Sequence, residues 1–281
     1  MTRTRRRIGT LAGGLAVALW LVAALLLPPW GADAALPGGL PVAAETGGRY
    51  TWVRVLESPG FLTGYSEIRA APIWVAYRSG HITDPAGPPR PDRFNRDWRV
   101  FRQPAPDALR GTAYGRGHLA PNYAISRLYG RDAQLATFRM SNIVAQRHAM
   151  NRGVWQRIEE LETDQWAAET ETLWVVTGPV FDAQREWVGD QVEVPDALYR
   201  VLLARDDDGG LRALAFVVPQ QAATDADLRN FVETIDAVEQ ATGLDLFAGL
   251  PDAVEITLER EEPTDAWRLD QLATRPGRYA N

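Results

Sequence analysis

Two nearby stretches decide the expected fold and chemistry of this chain: residues 115–122 read Gly-Arg-Gly-His-Leu-Ala-Pro-Asn, and residues 151–155 read Asn-Arg-Gly-Val-Trp. The first contains His118, the second begins with Asn151, and Glu159 follows eight residues after Asn151. Eight residues are a little over two turns of α-helix, so the amide and the carboxylate can face the same side of one helix. A base, an amide oxygen and a carboxylate in so short a segment indicate an active site that uses a metal ion.

These residue types suit the hydrolysis of a phosphodiester, which needs a base to activate water and a cation to stabilise the charge around phosphorus. An imidazole with its ordinary pKa of ~6.5 accepts a proton near neutral pH, so His118 is the candidate base. The amide oxygen of Asn151, together with several waters, suits Mg²⁺. Glu159 would hold a metal-bound water, and Arg116 would bind a phosphate oxygen through two hydrogen bonds.

Each of these residues also has a simpler interpretation when it is taken alone. A lone histidine is usually a surface or core residue, Asn151 can cap its helix, and Glu159 can be a solvated helix residue. Trp155 is expected in the core rather than stacked on a substrate. Asn142 is interpreted first as a structural residue that forms hydrogen bonds after a strand, and it is kept as a substrate-binding candidate as well.

The composition is that of a globular protein and excludes several kinds of site. The chain has 281 residues, of which 46% are hydrophobic and 23% charged. It contains no cysteine, which excludes disulfides, thiolate metal sites and cysteine nucleophiles. Its three histidines are too few for a zinc site built from histidine alone.

The net charge of −6 conceals a strong asymmetry along the chain. All 30 basic residues are arginine. Residues 90–158 hold 13 Arg, 4 Asp and no Glu, a net charge of +9, whereas residues 159–281 hold 9 Arg and 27 acidic residues, a net charge of −18. The basic block coincides with the His118 motif, so a polyanion is the expected partner of that surface.

The N-terminal segment has the order of an export signal. Arginines at positions 3, 5, 6 and 7 precede an apolar run over residues 8–27, and Ala-Asp-Ala at 32–34 offers a cleavage site. We expect residues 1–34 to be a signal peptide or a retained membrane anchor, which implies either a periplasmic or extracellular protein or one held in the inner membrane through residues 8–27. The paired arginines hint at a twin-arginine signal.

The remaining chain is predicted to form one α+β domain with a mostly antiparallel sheet. Residues 35–49, rich in Gly, Pro and Ala, are predicted to be a flexible linker, 50–260 the domain, and 261–281 a C-terminal tail. Apolar patterns predict strands at 50–56, 73–77, 139–144 and 173–181, and a hairpin from 198–204 to 212–218. Helices are expected at 131–138, 151–162 and 224–242, and an irregular loop at 85–106.

The order of these motifs resembles that of the DNA/RNA non-specific endonuclease family of ββα-metal nucleases, also called His-Me finger nucleases. The family's Asp-Arg-Gly-His pattern is matched by residues 115–118, its Ser-Asn-Ile-x-x-Gln pattern by 141–146, and its Asn-x-Gly-x-Trp-x-x-x-Glu helix by 151–159. Further matches lie at 74–77, 176–179, 242–244 and 248–251, so the resemblance extends over about residues 50–255.

The resemblance implies a ββα-metal fold with a mostly antiparallel central sheet flanked by helices, and a Mg²⁺-dependent endonuclease that cuts DNA and RNA to give 5′-phosphate ends. It implies that His118 is the general base, that Asn151 is the one direct protein ligand of Mg²⁺, for which Mn²⁺ can substitute, and that Glu159 holds metal-bound water. Arg116 would support the phosphate. An upstream arginine would stabilise the transition state, and the local pattern favours Arg93, with Arg90 as the alternative.

One position departs from the family pattern, because Gly115 stands where the family has Asp. That Asp supports the site, so its loss leaves two other hypotheses open. One is a degenerate nuclease that binds nucleic acid or a protein without cutting. The other is a phosphodiesterase whose substrate is not a nucleic acid, such as a lipid headgroup.

Overall fold

A seven-stranded sheet forms the centre of the protein. The computed structural model describes residues 36–43, 53–181, 185–189, 191–260 and 267–277. The strands of the central sheet are β2 (Val53–Ser58), β3 (Phe61–Ser66), β4 (Ala71–Ser79), β7 (Thr172–Val180), β10 (Ala197–Arg205), β11 (Leu211–Pro219) and β12 (Val232–Glu233). They lie in the order β12-β11-β10-β7-β4-β3-β2, and each neighbouring pair is antiparallel. The prediction of a mostly antiparallel α+β fold is confirmed.

Both faces of this sheet are covered, which explains why its inner strands are buried along almost their whole length. One face packs against α1 (Asn122–Thr137) and α3 (Gln156–Asp164) in a core that contains Tyr77, Ile125, Ile158 and Leu198. The other face packs against α4 (Ile235–Thr242) and α5 (Asp252–Arg260). Helices therefore flank the sheet, as the sequence predicts.

Two strands outside the central sheet carry the motif at residues 115–118 and most of the motif at residues 141–146. They are β5 (Tyr114–His118) and β6 (Ile143–Arg147), an antiparallel pair that ends in a continuous helical segment. That segment consists of α2 (His148–Met150), a wide π-type stretch (Asn151–Trp155) and α3. Two short ladders complete the described strands: β8 (Glu186–Val188) pairs with β9 (Val192–Val194), and β1 (Val42–Ala43) pairs with β13 (Leu244–Asp245).

Most predicted elements occur within a few residues of their expected places. The hairpin from β10 to β11 turns at residues 206–210, where Gly209 has a φ of +86°, which only glycine adopts without strain. The loop at 85–106 is irregular, as predicted. The predicted helix at 224–242 is wrong in its first half: residues 228–231 form a 3₁₀ turn, β12 pairs with β11, and only Ile235–Thr242 is α-helical. The strand β3 was not predicted.

Both ends of the described chain pack onto the domain. Within the segment predicted as a linker, residues 36–43 bury Leu36 and pair β1 with β13; residues 44–52 lie outside the described part. Within the predicted tail, α6 (Leu269–Leu272) follows Trp267, whose side chain lies edge-on to Trp166 with the ring centroids 5.7 Å apart. The predicted signal or anchor at 1–34 lies outside the described residues, and none of the helices that are described has the length and apolarity needed to cross a membrane.

Candidate active site

The β5–β6 hairpin places His118 at the end of a strand, directly before the turn into α1. Gly117 pairs with Val144 across the hairpin, and the buried side chain of Gln146 lies where a β carbon at position 117 would stand. Gly117 of the motif at 115–118 is therefore required by Gln146 of the motif at 141–146. This contact explains how two motifs that are distant in sequence set one local geometry.

The third motif is positioned by a close approach of two backbones. Gly153 has non-helical dihedral angles inside the π-type stretch, and a β carbon there would collide with the backbone of Thr224. Two residues later Trp155 is fully buried in the core, as predicted. These contacts fix the start of the helical segment, so that Asn151 and Glu159 both face the hairpin.

A cleft of about 460 Å³ lies between the hairpin, α1 and the helical segment. Four of the predicted site residues line it: Arg116, His118, Asn151 and Glu159. Nine other residues complete its wall, namely Arg90, Pro121, Asn122, Tyr123, Ala124, Arg127, Arg152, Gln156 and Glu160. The structure thus brings the candidate base, amide and carboxylate to one surface.

His118 is surrounded by aromatic rings and positive charge. Its ring centroid lies 5.4 Å from that of Phe94 and 5.0 Å from that of Phe138, and its Nε2 is buried with no hydrogen-bond partner among the described residues. Burial, followed by repulsion from Arg90 and Arg116, lowers the pKa of His118 to about 3. The imidazole is therefore neutral near pH 7 and able to accept a proton.

Glu159 is attached to a buried polar network beneath the cleft. Arg200, fully buried on β10, donates from Nη2 to Oε1 of Glu159 at 3.0 Å and from Nη1 to the hydroxyl of Tyr77 at 2.8 Å. The same guanidinium forms an ion pair with Glu162, whose carboxylate accepts hydrogen bonds from the Tyr77 hydroxyl. Its Cζ also lies 4.8 Å from the ring centroid of Trp155.

This network balances opposing effects on the carboxyl of Glu159. Burial raises its pKa, Arg200 lowers it, and the nearby Glu162 raises it, with a net value of about 7. Glu159 is thus held in place by an arginine that the sequence motifs do not include. A single buried arginine on a central strand carried no recognisable sequence signal.

Two of the predicted site residues do not reach the cleft. Asn142 is fully buried: its Oδ1 accepts from the backbone N–H of Ala120 at 2.9 Å, and its Nδ2 donates to the carbonyl oxygens of Ala120 and Thr137. It holds the segment after His118 in place, which leaves no group for substrate and agrees with its structural interpretation. Arg93 is exposed and is not among the residues that line the cleft, whereas the alternative Arg90 is.

The space beside Gly115 is filled by a histidine. A β carbon at position 115 would lie 3.1 Å from Nδ1 and Cε1 of His148 and 3.7 Å from Nδ2 of Asn151. An aspartate at position 115 would therefore require the His148 ring to move. At the position that departs from the family pattern, the His148 ring thus occupies the space next to Asn151. His148 itself is exposed.

The cleft also contains oxygen donors that the sequence interpretation missed. Asn122, the last residue of the first motif, lines the cleft, and its Oδ1 is buried without a hydrogen-bond partner among the described residues. Glu160 and Gln156 line the same wall. Amide and carboxylate oxygens are the ligands that Mg²⁺ and Mn²⁺ accept, so the donor set fits a hard divalent ion.

Comparisons with known proteins show which proteins this chain is similar to. A model of the DNA/RNA non-specific endonuclease family matches residues 49–253. Human mitochondrial nuclease EXOG is 32% identical over 188 residues, 62% of this chain and 47% of EXOG. The nuclease of Serratia marcescens is 29% identical over 200 residues, 66% of this chain and 72% of that protein. The chain therefore spans about half the length of EXOG and nearly three quarters of the Serratia nuclease.

A solved structure shows the same fold. A chain in the crystal structure of the EndoG/EndoGI complex matches with a TM-score of 0.67 and 21% identity, over 80% of this chain and 94% of that chain. The architecture, with its antiparallel sheet and its β5–β6 hairpin followed by a helix, is thus the ββα-metal nuclease fold.

The environment of His118 predicts an unusual titration. Because burial, Arg90 and Arg116 lower its pKa to about 3, the His118 ring should keep its neutral chemical shifts from pH 8 down to about pH 5 in the metal-free protein. The unfolded chain takes up this proton near pH ~6.5, so the contribution of His118 to folding stability should decrease as the pH falls from there towards 3. Histidine NMR, with His118→Ala to assign the signal, measures this; a midpoint near pH 6.5 contradicts it.

The buried network predicts a large effect of Arg200 on stability. Replacing Arg200 with Met leaves Glu162 and Tyr77 without their partner, so the free energy of unfolding should fall by about 3–5 kcal/mol. Denaturant unfolding measures the change. The matched control is Arg268→Met, which removes a solvent-exposed ion pair with Glu169 and should cost less than about 1 kcal/mol. Equal losses in the two variants would contradict a special role of the buried arginine.

Proposed function

The chain belongs to the DNA/RNA non-specific endonuclease family, and we propose from this that it is a Mg²⁺-dependent endonuclease that hydrolyses phosphodiester bonds of DNA and RNA. The observation that carries the proposal is the convergence of two motifs on one cleft, which Arg116 and His118 of the first line together with Asn151 and Glu159 of the other. The positive charge of residues 90–158 supports a polyanionic substrate.

In this proposal His118 is the general base. Its neutral imidazole accepts a proton from a water molecule, which attacks phosphorus as the bond to the 3′ oxygen breaks and a 5′-phosphate end forms. Arg90 and Arg116, whose charges act on His118, face the phosphate and stabilise the negative charge that builds up on it. A bound phosphate would neutralise these arginines and raise the pKa of His118, so substrate binding would strengthen the base.

The oxygen atoms of the cleft would hold the metal ion. Asn151 is the proposed direct ligand, and Glu159, fixed by Arg200, would orient a metal-bound water. Bound Mg²⁺ would supply charge stabilisation to the phosphate and to the leaving oxygen. Asn122 is an additional oxygen donor, because its buried Oδ1 faces no partner among the described residues.

We place the enzyme outside the cytoplasm. The support is the order of charges, apolar residues and small residues in positions 1–34, which suits either a cleaved signal or an anchor in the inner membrane. Export would keep a non-specific nuclease away from the chromosome.

The catalytic assignment predicts a sharp dependence on one imidazole and one amide. His118→Ala should lower kcat on plasmid DNA and on RNA by about 10²–10⁴-fold, the usual contribution of a general base. Asn151→Ala should abolish the stimulation by Mg²⁺, and EDTA should stop cleavage by the parent protein. Cleavage that survives EDTA and His118→Ala would contradict the mechanism, and binding of DNA without cleavage at any concentration of Mg²⁺ or Mn²⁺ would select the degenerate binding module.

The position of the two candidate arginines predicts which one acts on the transition state. Arg90 lines the cleft, so Arg90→Met should lower kcat by about 10²–10³-fold, as expected for a group that stabilises developing charge. Arg93 is exposed outside it, so Arg93→Met should mainly weaken binding and reduce the dependence of affinity on salt by about one unit of slope. Cleavage kinetics at several salt concentrations separate these outcomes, and a larger loss of kcat in Arg93→Met reverses the assignment.

A further inference from the structure

Two aromatic side chains project into solvent from the basic loop near the cleft. Trp98 is 87% exposed and Phe101 is 85% exposed, whereas the other exposed large apolar side chains of the described residues are 37–50% exposed. Large aromatic side chains rarely remain in water without a partner, because burying them is strongly favourable. Their position therefore requires an explanation beyond folding.

The loop that carries these aromatics is held rigidly. Asp97 is buried, and its carboxylate accepts from Nε and Nη2 of Arg99 and from the hydroxyl of Ser141. Val100 is buried beside Leu56. Asp97 and Val100 thus point inwards as anchors, while Trp98 and Phe101 point outwards. A rigid display loses little entropy when a ligand binds to it.

Further contacts close the loop on its other side. The side chain of Gln103 accepts from the backbone N–H of Asp97 at 2.7 Å and donates to the carbonyl of Asp97 at 2.7 Å. The hydroxyl of Tyr65 donates to the carbonyl of Arg102 at 2.7 Å. The loop that contains the turn between Asp97 and Val100 is therefore attached to the sheet by hydrogen bonding.

The charges around the two rings are mainly positive. Residues 90–102 contain five Arg and two Asp. The guanidinium of Arg54 lies 5.6 Å from the ring centroid of Phe101 but forms an ion pair with Glu67, whose carboxylate also accepts from the backbone N–H of Phe101. The net positive charge around the rings therefore comes from Arg96 and Arg102, which are both exposed. Exposed aromatic rings among arginines are the usual surface that binds single-stranded nucleic acid, because bases stack on the rings and phosphates approach the arginines.

Trp98 lies within a short reach of the cleft, and Phe101 follows it by three residues. Phe94, whose ring packs against His118, precedes Trp98 by four residues. Four residues span at most ~14 Å even when fully extended. A strand whose scissile phosphate lies beside His118 can therefore place bases only a few nucleotides away on this part of the loop.

We propose that Trp98 and Phe101 form a stacking platform that binds the bases of single-stranded nucleic acid flanking the cleaved phosphate. The proposal deepens the function given above and rests on it. Bases of a duplex are already stacked on one another, so the platform favours single-stranded DNA, RNA and locally unpaired duplex over intact double-stranded DNA. Sequence preference should stay weak, since every base offers a face for stacking.

The test uses Trp98→Ala/Phe101→Ala in the full-length chain. KM for an oligothymidylate should rise about tenfold or more, while kcat and KM for bis(p-nitrophenyl) phosphate, which has no bases and is too short to extend from the cleft to the platform, should remain unchanged. Trp98→Phe/Phe101→Tyr should restore the parent KM, because both replacement side chains can stack. Ile256→Ala, which truncates an exposed apolar side chain on α5, is the matched control and should have no effect.

A direct signal accompanies the kinetics. Binding of oligothymidylate in EDTA should quench the fluorescence of the parent protein, and Trp98→Phe should remove that part of the quenching. Unchanged KM and unchanged quenching overturn the platform. So does an equal loss of activity on the diester that lacks bases, which would indicate a structural role of the loop.

The remaining outcomes are also decisive. If the variant binds oligothymidylate normally but loses binding to anionic vesicles or changes its sedimentation, the aromatic pair is a membrane or self-association surface and the proposal is wrong. If the parent protein cleaves neither substrate, the proposed nuclease activity fails; the fluorescence measurement still decides whether the platform binds single strands.

Discussion

The arrangement of the site depends on the ion pairs and hydrogen bonds of the buried Arg200 guanidinium. The guanidinium lies at the junction between the central sheet and the helical segment that carries Asn151 and Glu159, and it is bonded to Glu159 and Glu162 of α3 and to Tyr77 on β4. A buried charge without such partners would cost several kcal/mol, so the three elements can pack only with these groups aligned. The ion pairs that neutralise the buried Arg200 therefore also set the orientation of the Glu159 carboxylate in the cleft.

The environment of His118 differs from that of Arg200, because its charged neighbours disfavour the protonated ring rather than stabilise it. There the structure surrounds a titratable ring with phenylalanines and two arginines and gives its Nε2 no hydrogen-bond partner among the described residues. Positive charge next to an imidazole weakens it as a base, yet it is what a phosphate requires. In the proposed mechanism the bound phosphate is the anion that compensates these positive charges, so the basic surface and the weakened imidazole would act together.

How much of this was visible in the sequence depends on whether a residue belongs to a regular element. His118, Arg116, Asn151 and Glu159 were predicted together from the residue types in their motifs and from the resemblance to the nuclease family, while helix spacing supported a common direction for Asn151 and Glu159. Gly117 and Gly153 belonged to the same motifs, but only the structure shows that Gln146 and Thr224 occupy the space beside them. Arg200 was not predictable, since one arginine in an otherwise apolar strand has no pattern. The helix expected at 224–242 failed because pairing of β12 with β11 overrides the local apolar spacing.

The irregular loop at 85–106 is another part of the chain whose side-chain directions the sequence does not predict. Its prolines lack N–H groups and so cannot form a sheet or a helix, but their carbonyl oxygens still need donors. Side chains of α1 supply them: Arg127 donates to Pro85, Gln134 to Pro88 and Arg131 to Pro89. The order of the loop thus comes from a helix that lies some forty residues later in the chain. A loop fixed in this way has no period from which the direction of its side chains can be inferred. The sequence therefore does not predict that Arg90 rather than Arg93 lines the cleft, or that two aromatic side chains of this loop remain in solvent.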